Sequence, residues 1–199
     1  MKTATINLKV LAALSLCAST EETRYYLRGV CVEIAPRHVT YAATDGHVMV
    51  AHREEMADDG PDNELLGSFI IPTAACTKFK LKKGASTVGT IMGDAEHLTI
   101  GYGGENIGFR FKPVDGTFPD WRRIVPALPT GETKPAQFAA HNVSRLAGVG
   151  ARLGYGAMCI HHNGGNPALV DWKGNTDTLA VIMPYRIAIE PKHPAWFVR

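Results

Sequence analysis

Apolar residues along the chain follow a fixed order: a short strand, a helix, and then further strands. The helix is predicted because Val10, Leu11 and Leu14 recur at helical spacing. Aromatic and β-branched residues predict the strands that follow it. This first round comprises a strand over residues 4–8, a helix over 9–19, strands over 23–34 and 39–52, and a loop over 54–63.

The same order recurs twice further along the chain. In the second round Thr73 is the predicted N-cap of the helix, and in the third round Asn142 has that place and Gly154 ends the helix. The second round comprises a strand over residues 68–71, a helix over 74–83 and strands over 87–92, 97–102 and 107–112. The third comprises a strand over residues 136–140, a helix over 143–153 and strands over 157–162, 168–172 and 179–184.

Three units of this kind, at residues 1–56, 65–112 and 135–187, predict an α+β protein. Residues 113–134 carry four prolines and predict an extended linker, because proline fixes φ and lacks an amide donor. Residues 188–199 form a C-terminal tail. Its Trp196, Phe197 and Val198 suit an apolar pocket, and an uninvolved tail is the alternative.

Composition indicates a soluble globular protein: 199 residues, 45% hydrophobic and 20% charged, with a net charge of +2. That charge gives no argument for nucleic-acid binding, which would have to come from local clusters of basic residues. Four cysteines without a C-x-x-C pair favour reduced thiols and a cytoplasmic location. Residues 8–18 are apolar but too short to span a membrane, and a signal-peptide segment is the competing interpretation.

Two groups of residues raise the alternative of a metal-dependent enzyme. Cys159, His161 and His162 offer two or three metal ligands, but no second pair follows at zinc-site spacing. His47 beside Asp45 resembles a general base, but no nucleophile or phosphate-binding loop accompanies it. We therefore expect no catalytic residues, no metal and no cofactor.

Residues 40–50, T-Y-A-A-T-D-G-H-V-M-V, form a strand that breaks at Asp45-Gly46 and then resumes. Asp-Gly is a strong turn signal, since glycine tolerates positive φ and aspartate bonds its own downstream backbone. Alone, this pattern fits a simple β-turn or bulge as well as a functional loop.

Four segments together resemble the β subunit of the bacterial replicative polymerase, the β sliding clamp. They are R-Y-Y-L-R-G-V at residues 24–30, A-T-D-G-H at 43–47, V-D-G-T-F-P-D-W-R-R-I-V-P at 114–126, and V-I-M-P-Y-R-I at 181–187. The resemblance implies that residues 1–112 form one complete clamp domain, the central one, and that 135–187 form the second half of the final domain. It implies a processivity factor around duplex DNA, with helices facing the DNA and antiparallel sheets outside.

The resemblance also implies a pocket that docks short peptides of polymerases and other replication proteins. Leu, Met, Ile and Val side chains would form apolar walls, and arginines at the rim would fix a carboxylate or carbonyl. The residues matched to the pocket are Leu27, Thr44, Gly46, His47, Met49, Pro119, Arg123, Ile124, Val181, Ile182, Met183, Pro184 and Arg186. Without the resemblance, ordinary core packing would explain the apolar members.

Three features depart from the family pattern. Val48 stands where a basic residue is usual, Tyr185 takes a position that is commonly Met, and the chain continues past residue 187. These differences put the peptide preference of the pocket in doubt.

Basic residues on the predicted helices would contact phosphates without reading base sequence. They are Lys9, Lys78, Lys80, Lys82, Lys83, Arg145 and Arg152. A solvated basic face is the alternative, and the alternation of Lys with Phe79 and Leu81 also fits an edge strand.

Unit counting suggests a homo-oligomer. The unit at 135–187 lacks its other half, so its sheet edge calls for a partner, and the same unit of a second chain would complete a two-fold dimer. Rings of the family contain twelve units, so four chains of three units would close one. The alternative is a non-ring decoy or inhibitor that binds replication proteins.

Overall fold

The computed structural model describes residues 2–57, 62–79, 86–102, 108–131 and 134–186. Short strands and three α-helices alternate along it. The strands are β1 (Thr3–Asn7), β2 (Gly29–Ile34), β3 (His38–Thr44), β4 (Val48–Glu55), β5 (Gly67–Pro72), β6 (Val88–Gly93), β7 (Leu98–Tyr102), β8 (Gly108–Phe111), β9 (Met158–Asn163), β10 (Asn166–Trp172) and β11 (Thr178–Ile182). The helices are α1 (Leu8–Leu14), α2 (Thr73–Cys76) and α3 (Ala140–Leu153), with 3-10 turns at Ser15–Cys17, Glu22–Leu27 and Trp121–Ile124.

The strands form two antiparallel sheets, which confirms the predicted α+β class. The first sheet has the order β1-β6-β7-β8, and the second has the order β5-β2-β3-β4-β11-β10-β9. The first two units exchange strands, since β1 joins the sheet of the second unit and β5 joins that of the first. Pairing of β4 with β11 then carries the second sheet from the first unit into the third.

One apolar core lies between the sheets and the helices. Helix α1 places Leu8, Leu11 and Leu14 in it with no exposed surface, and α3 adds Leu146 and Val149. Helices α1 and α3 also pack against each other. Burial of one face of each helix accounts for their stability, because α1 has only seven residues and would not form alone. Among the described residues, no helix is long and apolar enough to cross a membrane.

The structure corrects three predicted elements. Residues 22–27 form a 3-10 turn rather than the start of a strand, and Tyr25 is 53% exposed there. Residues 136–139 belong to no strand, although the sequence favours one. Helix α3 begins at Ala140, so Asn142 lies inside its first turn, buried, and Ala139 is the N-cap.

Helix α2 is also shorter than predicted, and Thr73 is its first residue instead of its N-cap. Of the residues predicted to continue it, 80–83 lie outside the described residues. The C-terminal tail, residues 188–199, lies outside them as well.

Candidate peptide site and helix layer

The turn between β3 and β4 is held by its own side chains. Thr44 Oγ1 donates to the Val48 carbonyl at 2.7 Å and accepts from the Gly46 amide at 3.1 Å. Asp45 Oδ1 accepts from the amides of His47 and Val48 at 2.8 and 3.0 Å. The backbone polar groups of the turn are thus satisfied locally, which fixes the shape of the turn.

Two features of this turn favour glycine at position 46. Its φ is +91°, in the left-handed region that side chains rarely adopt. A Cβ there would also meet Arg24 Nη1 at 2.7 Å. Arg24 Nη1 itself donates to the Asp45 carbonyl at 3.0 Å, so the 3-10 turn Glu22–Leu27 lies directly against the Asp-Gly turn.

Asp45 also joins the turn to α3, one hundred residues away. Arg145 pairs with Asp45 Oδ2, and its Nε and Nη2 donate to the carbonyls of Leu16 and Ala18 at 2.7 and 3.4 Å. Burial alone would raise the pKa of Asp45, but the Arg145 guanidinium and the amides of Val48 and His47 outweigh it and lower that pKa. The carboxylate therefore stays ionised and ties the turn to the helix layer.

Strand β11 lies beside this turn. Val181 is paired with Met49 and Ile182 with Val48, and the Met183 amide donates to the His47 carbonyl at 2.8 Å. The sequence segments at residues 44–49 and 181–183 are therefore neighbours, as a shared site requires.

Met49 and Val181 do not line an open groove in this structure. They belong to a second apolar cluster on the opposite face of the sheet, at 1% and 2% exposure. Phe118, Trp121 and Val125 of the linker pack over that cluster. A peptide would reach Met49 and Val181 only after the linker side chains moved.

The other matched residues divide between buried and exposed positions. Ile182 lies in the main core with no exposed surface, and Leu27 is 5% exposed, so Ile182 offers no peptide contact in this conformation. Pro119, Arg123, Ile124 and Arg186 are exposed, and Met183 and Pro184 are half-buried. Pro184 and Arg186 line a hollow of about 420 Å³ together with Tyr185, residues 135–137 and the Gly164-Gly165 turn.

A larger cleft of about 930 Å³ lies at the other end of β4 and is not part of the matched site. Polar groups fill its floor: Asn7 Nδ2 donates to Glu54 at 2.6 Å, and His52 Nδ1 lies 2.6 Å from Thr178 Oγ1. Tyr155 reaches the same Thr178 hydroxyl at 2.7 Å. The His52–Thr178 contact joins the first and third units across the β4–β11 pair.

The basic residues of the helix layer make internal bonds. Lys9 Nζ donates to the Leu153 carbonyl at 3.2 Å, and Arg152 Nη1 donates to the Ala12 carbonyl at 2.6 Å. Cations at helix C-termini are favourable, because they complement the unpaired carbonyls there. Lys78 is exposed and lies 5.3 Å from the centre of the Phe109 ring. Lys80, Lys82 and Lys83 lie outside the described residues.

Three side chains with metal-ligating atoms meet on β9 and β10. One donor atom each from Cys159, His161 and Asp171 lies within 4.8 Å of the others. His161 Nε2 and Asp171 Oδ2 are already 3.2 Å apart, so a cross-strand pair explains their proximity without an ion. His162, the third residue of the sequence pattern, is not in this group.

Sequence reasoning missed several residues that shape the site. Arg145 was assigned to phosphate contact, whereas it anchors the Asp-Gly turn. Phe118 and Trp121 cover the second cluster, and their signal was present, since both are large apolar residues in the quoted linker segment. Arg24 lies in the R-Y-Y-L segment, but nothing in the sequence indicated that it would bond the turn.

Comparison with solved structures defines the class of protein. The chain superimposes on the β subunit of DNA polymerase III from Pseudomonas aeruginosa with a TM-score of 0.71 at 19% identity, covering 94% of this chain and 67% of that one. A sliding clamp from Bartonella birtlesii, solved bound to griselimycin, gives a TM-score of 0.70 at 19% identity over 94% and 66% of the two chains. The fold is that of a DNA sliding clamp.

Sequence comparison gives the family. The model of the central domain of the DNA polymerase III beta subunit matches residues 3–120, more than half of the chain, and the chain belongs to this family. The β sliding clamp of Escherichia coli K12 is 26% identical over 129 residues, 61% of this chain and 32% of the clamp. That of Vibrio cholerae is 28% identical over 116 residues, 54% of this chain and 28% of the clamp.

The chain spans about a third of the length of the curated clamps that it matches. Clamps of this family are DNA replication factors and not enzymes, which is as the sequence predicted.

Proposed function

We propose that the chain is a subunit of a clamp-like processivity factor that contacts duplex DNA and docks peptides of replication proteins. The observation that carries the proposal is the continuous sheet across β4 and β11. This pairing sets the Asp-Gly turn beside the end of β11, and linker residues pack over the neighbouring apolar cluster that contains Met49 and Val181. A cytoplasmic location follows from such a role.

Peptide docking would take place beside His47, Met183 and Ile124. His47 has a side chain that is 62% exposed, and Ile124 is 47% exposed. Displacement of Trp121 or Phe118 would add Met49 and Val181 to the apolar surface, so the linker acts as a cover over the deeper part of the groove. Arg123 and Arg186 are exposed and supply the rim charges.

Duplex DNA would lie against the helix layer. Among the described cations on α1 and α3, Lys9 and Arg152 each donate to one backbone carbonyl, whereas Arg145 is ion-paired with Asp45. Lys9 and Arg152 are therefore the two that we assign to phosphate contact. Contacts of this kind are to phosphates, so binding should be weak, independent of base sequence and lost as salt rises.

Fluorescence anisotropy with a labelled duplex tests the DNA part of the proposal. Binding should weaken between about 50 and 200 mM salt and be equal for unrelated sequences. Replacing Lys78, Lys80, Lys82 and Lys83 by Glu should weaken it, whereas Lys112→Glu, outside that group of lysines, serves as a matched control. Binding that the four Glu substitutions leave unchanged would reject the assignment of these lysines to DNA.

A labelled clamp-binding peptide from a polymerase tests the docking part. Asp substitution of Ile124 should weaken peptide binding, while the exposed Leu128, also an apolar residue of the linker, gives the control Leu128→Asp. Equal loss in both variants would reject the proposed groove.

A further inference from the structure

The first two units complete each other by exchanging the strand that precedes each helix. Strand β1 ends at α1 and pairs with β6 of the second unit, and β5 ends at α2 and pairs with β2 of the first. Each three-stranded meander thereby gains a fourth strand along the free edge of its first strand. In the described part of the chain, β9 has no such neighbour and ends its sheet.

Residues 134–139 occupy the corresponding position before α3 and have the matching pattern. The second residue before each helix is a large apolar one: Ile6, Ile71 and Phe138. Ile6 and Ile71 are buried at 2% and 0% exposure, whereas Phe138 is only half-buried. Among the described residues no strand lies beside Phe138, whereas β1 and β5 each pair with a strand of the other unit.

In the second and third units, the carbonyl of the third residue before the helix accepts an equivalent backbone hydrogen bond. The Val114 amide donates to the Ile70 carbonyl at 2.9 Å, and the Tyr185 amide donates to the Gln137 carbonyl at 2.6 Å. Ile70 makes this bond while it is opposite Cys31 in the β2–β5 ladder. Residues 134–139 thus resemble β5 in having one edge bonded to the segment that follows the meander of the same unit, which leaves the other edge to face away from that segment.

Backbone hydrogen bonds determine the register in which residues 134–139 would pair with the free edge of a β9 strand. The Lys173 amide donates to the Ala157 carbonyl, so by alternation Met158 and Ile160 direct their amides and carbonyls away from β10, toward the open edge. In the β5–β2 pair, Pro72 directly precedes its helix and lies opposite Gly29, the residue before the first core-facing position of β2. In the β1–β6 pair, Asn7 directly precedes its helix and lies opposite Val88, the residue before the first core-facing position of β6. In the third unit this sets Phe138 opposite Met158 and Ala136 opposite Ile160 as hydrogen-bonded pairs.

Two details of the sequence agree with this register. Pro135 falls in a pair without hydrogen bonds, as Pro72 does opposite Gly29, so its missing amide removes nothing. Phe138, Met158 and Ile160 are half-buried and pack against the main core, and Ala136, two residues before Phe138, would lie on the same side of a strand as Phe138.

We infer that residues 134–139 of one chain pair with β9 of a second copy, and the reverse, so that two third units form one complete domain about a two-fold axis. This inference identifies a second copy of the chain as the partner within the proposed clamp. Only the replication role of that dimer rests on the proposed function. A second copy is the occupant because it supplies both the missing strand and a β9 edge for the strand that the first copy offers.

Cross-linking through Cys159 tests this register. Gln137 falls opposite Cys159 in a pair without hydrogen bonds, where the two Cα atoms lie about 4.5 Å apart, within the range for a disulfide. Both side chains are exposed. Mild oxidation of Gln137→Cys should shift the chains from the one-chain to the two-chain band on a non-reducing gel, and reduction should reverse the shift.

Three further variants serve as controls. The double variant Gln137→Cys with Cys159→Ser should stay in the one-chain band, and Ala136→Cys, which faces the core, should not couple to Cys159. Thr5→Cys with Thr90→Cys places two cysteines at the equivalent β1–β6 pair, both exposed, and should close within one chain under the same oxidation.

The inference is overturned if Gln137→Cys stays in the one-chain band while the Thr5–Thr90 pair closes. It is also overturned if residue 137 couples to Cys159 within one chain, or if Cys159→Ser leaves the two-chain band intact. Duplex binding by the unmodified chain is measured separately. Cross-linking without duplex binding would reject the proposed function alone, and duplex binding without cross-linking would reject the exchange alone.

Discussion

Removal of Arg145 should destabilise the protein more than removal of any exposed cation of the helix layer. Arg145 makes an ion pair with Asp45 and two bonds to the carbonyls of Leu16 and Ala18, with 22% of its side chain exposed and 16% of that of Asp45. In Arg145→Met, a mostly buried carboxylate loses its counter-charge. Breaking a fully buried pair costs about 3–5 kcal/mol, so we expect about 2–3 kcal/mol for this partly exposed one.

For a chain of this size, that change should lower Tm by roughly 4–12 °C. Arg152→Met is the matched control, because Arg152 is exposed and bonds one carbonyl; about 0.5–1 kcal/mol is expected from a single such bond. The assay is urea unfolding followed by circular dichroism. A double-mutant cycle with Asp45→Asn, which keeps the acceptor for the turn amides, should give a coupling energy of about 1–2 kcal/mol.

The pH dependence follows from the lowered pKa of Asp45. Its folded-state pKa lies below the unfolded value of about 3.9, so its contribution to stability is present above that pH and is lost as the pH falls through the folded-state pKa. The difference between the wild type and Arg145→Met should therefore be constant near neutral pH and shrink below about pH 4. Equal stability of Arg145→Met and Arg152→Met at neutral pH would refute the reasoning.

Three other perturbations test separate parts of the structure. Gly46→Ala should cost about 1–3 kcal/mol, because it combines positive φ with a close approach to Arg24, and unaltered urea unfolding would contradict that. Trp121→Ala should lower stability by about 1–3 kcal/mol yet tighten binding of a clamp-binding peptide by uncovering Met49; weaker binding would contradict the covering role. Thr178→Val should cost about 1–3 kcal/mol by removing the hydrogen-bond partner of the buried His52 and of the half-buried Tyr155, and a loss below that of an exposed control such as Thr176→Val would contradict it.

Local pattern predicted the elements whose partners are near in sequence. The turn at Asp45-Gly46 and the strands on either side of it were predicted correctly, since glycine, aspartate and alternating β-branched residues determine them locally. The helical face of Val10, Leu11 and Leu14 was correct for the same reason. The 3-10 turn at residues 22–27 was missed because its aromatic residues are equally typical of a strand.

The local sequence pattern does not indicate which segments far apart in the chain pair with each other. The apolar and polar alternation of β1 and β5 is the same whichever sheet these strands join, so alternation could not predict their exchange. The bond between Asp45 and Arg145 spans one hundred residues, and no periodicity indicates it. Residues 136–139 show the opposite case, because the sequence favours a strand there and no strand among the described residues lies beside them.

The mass of the protein in solution tests the central claim most directly. Light scattering after size exclusion, at micromolar concentration, should give the mass of two chains, or of four where two dimers close a ring. The same mass should fall on substitution of Phe138→Asp, because Phe138 is the residue that the proposed pairing sets opposite Met158 of the partner chain. A mass of one chain for the unaltered protein at every concentration tested would contradict the account and favour a clamp-like protein that acts alone on other replication proteins.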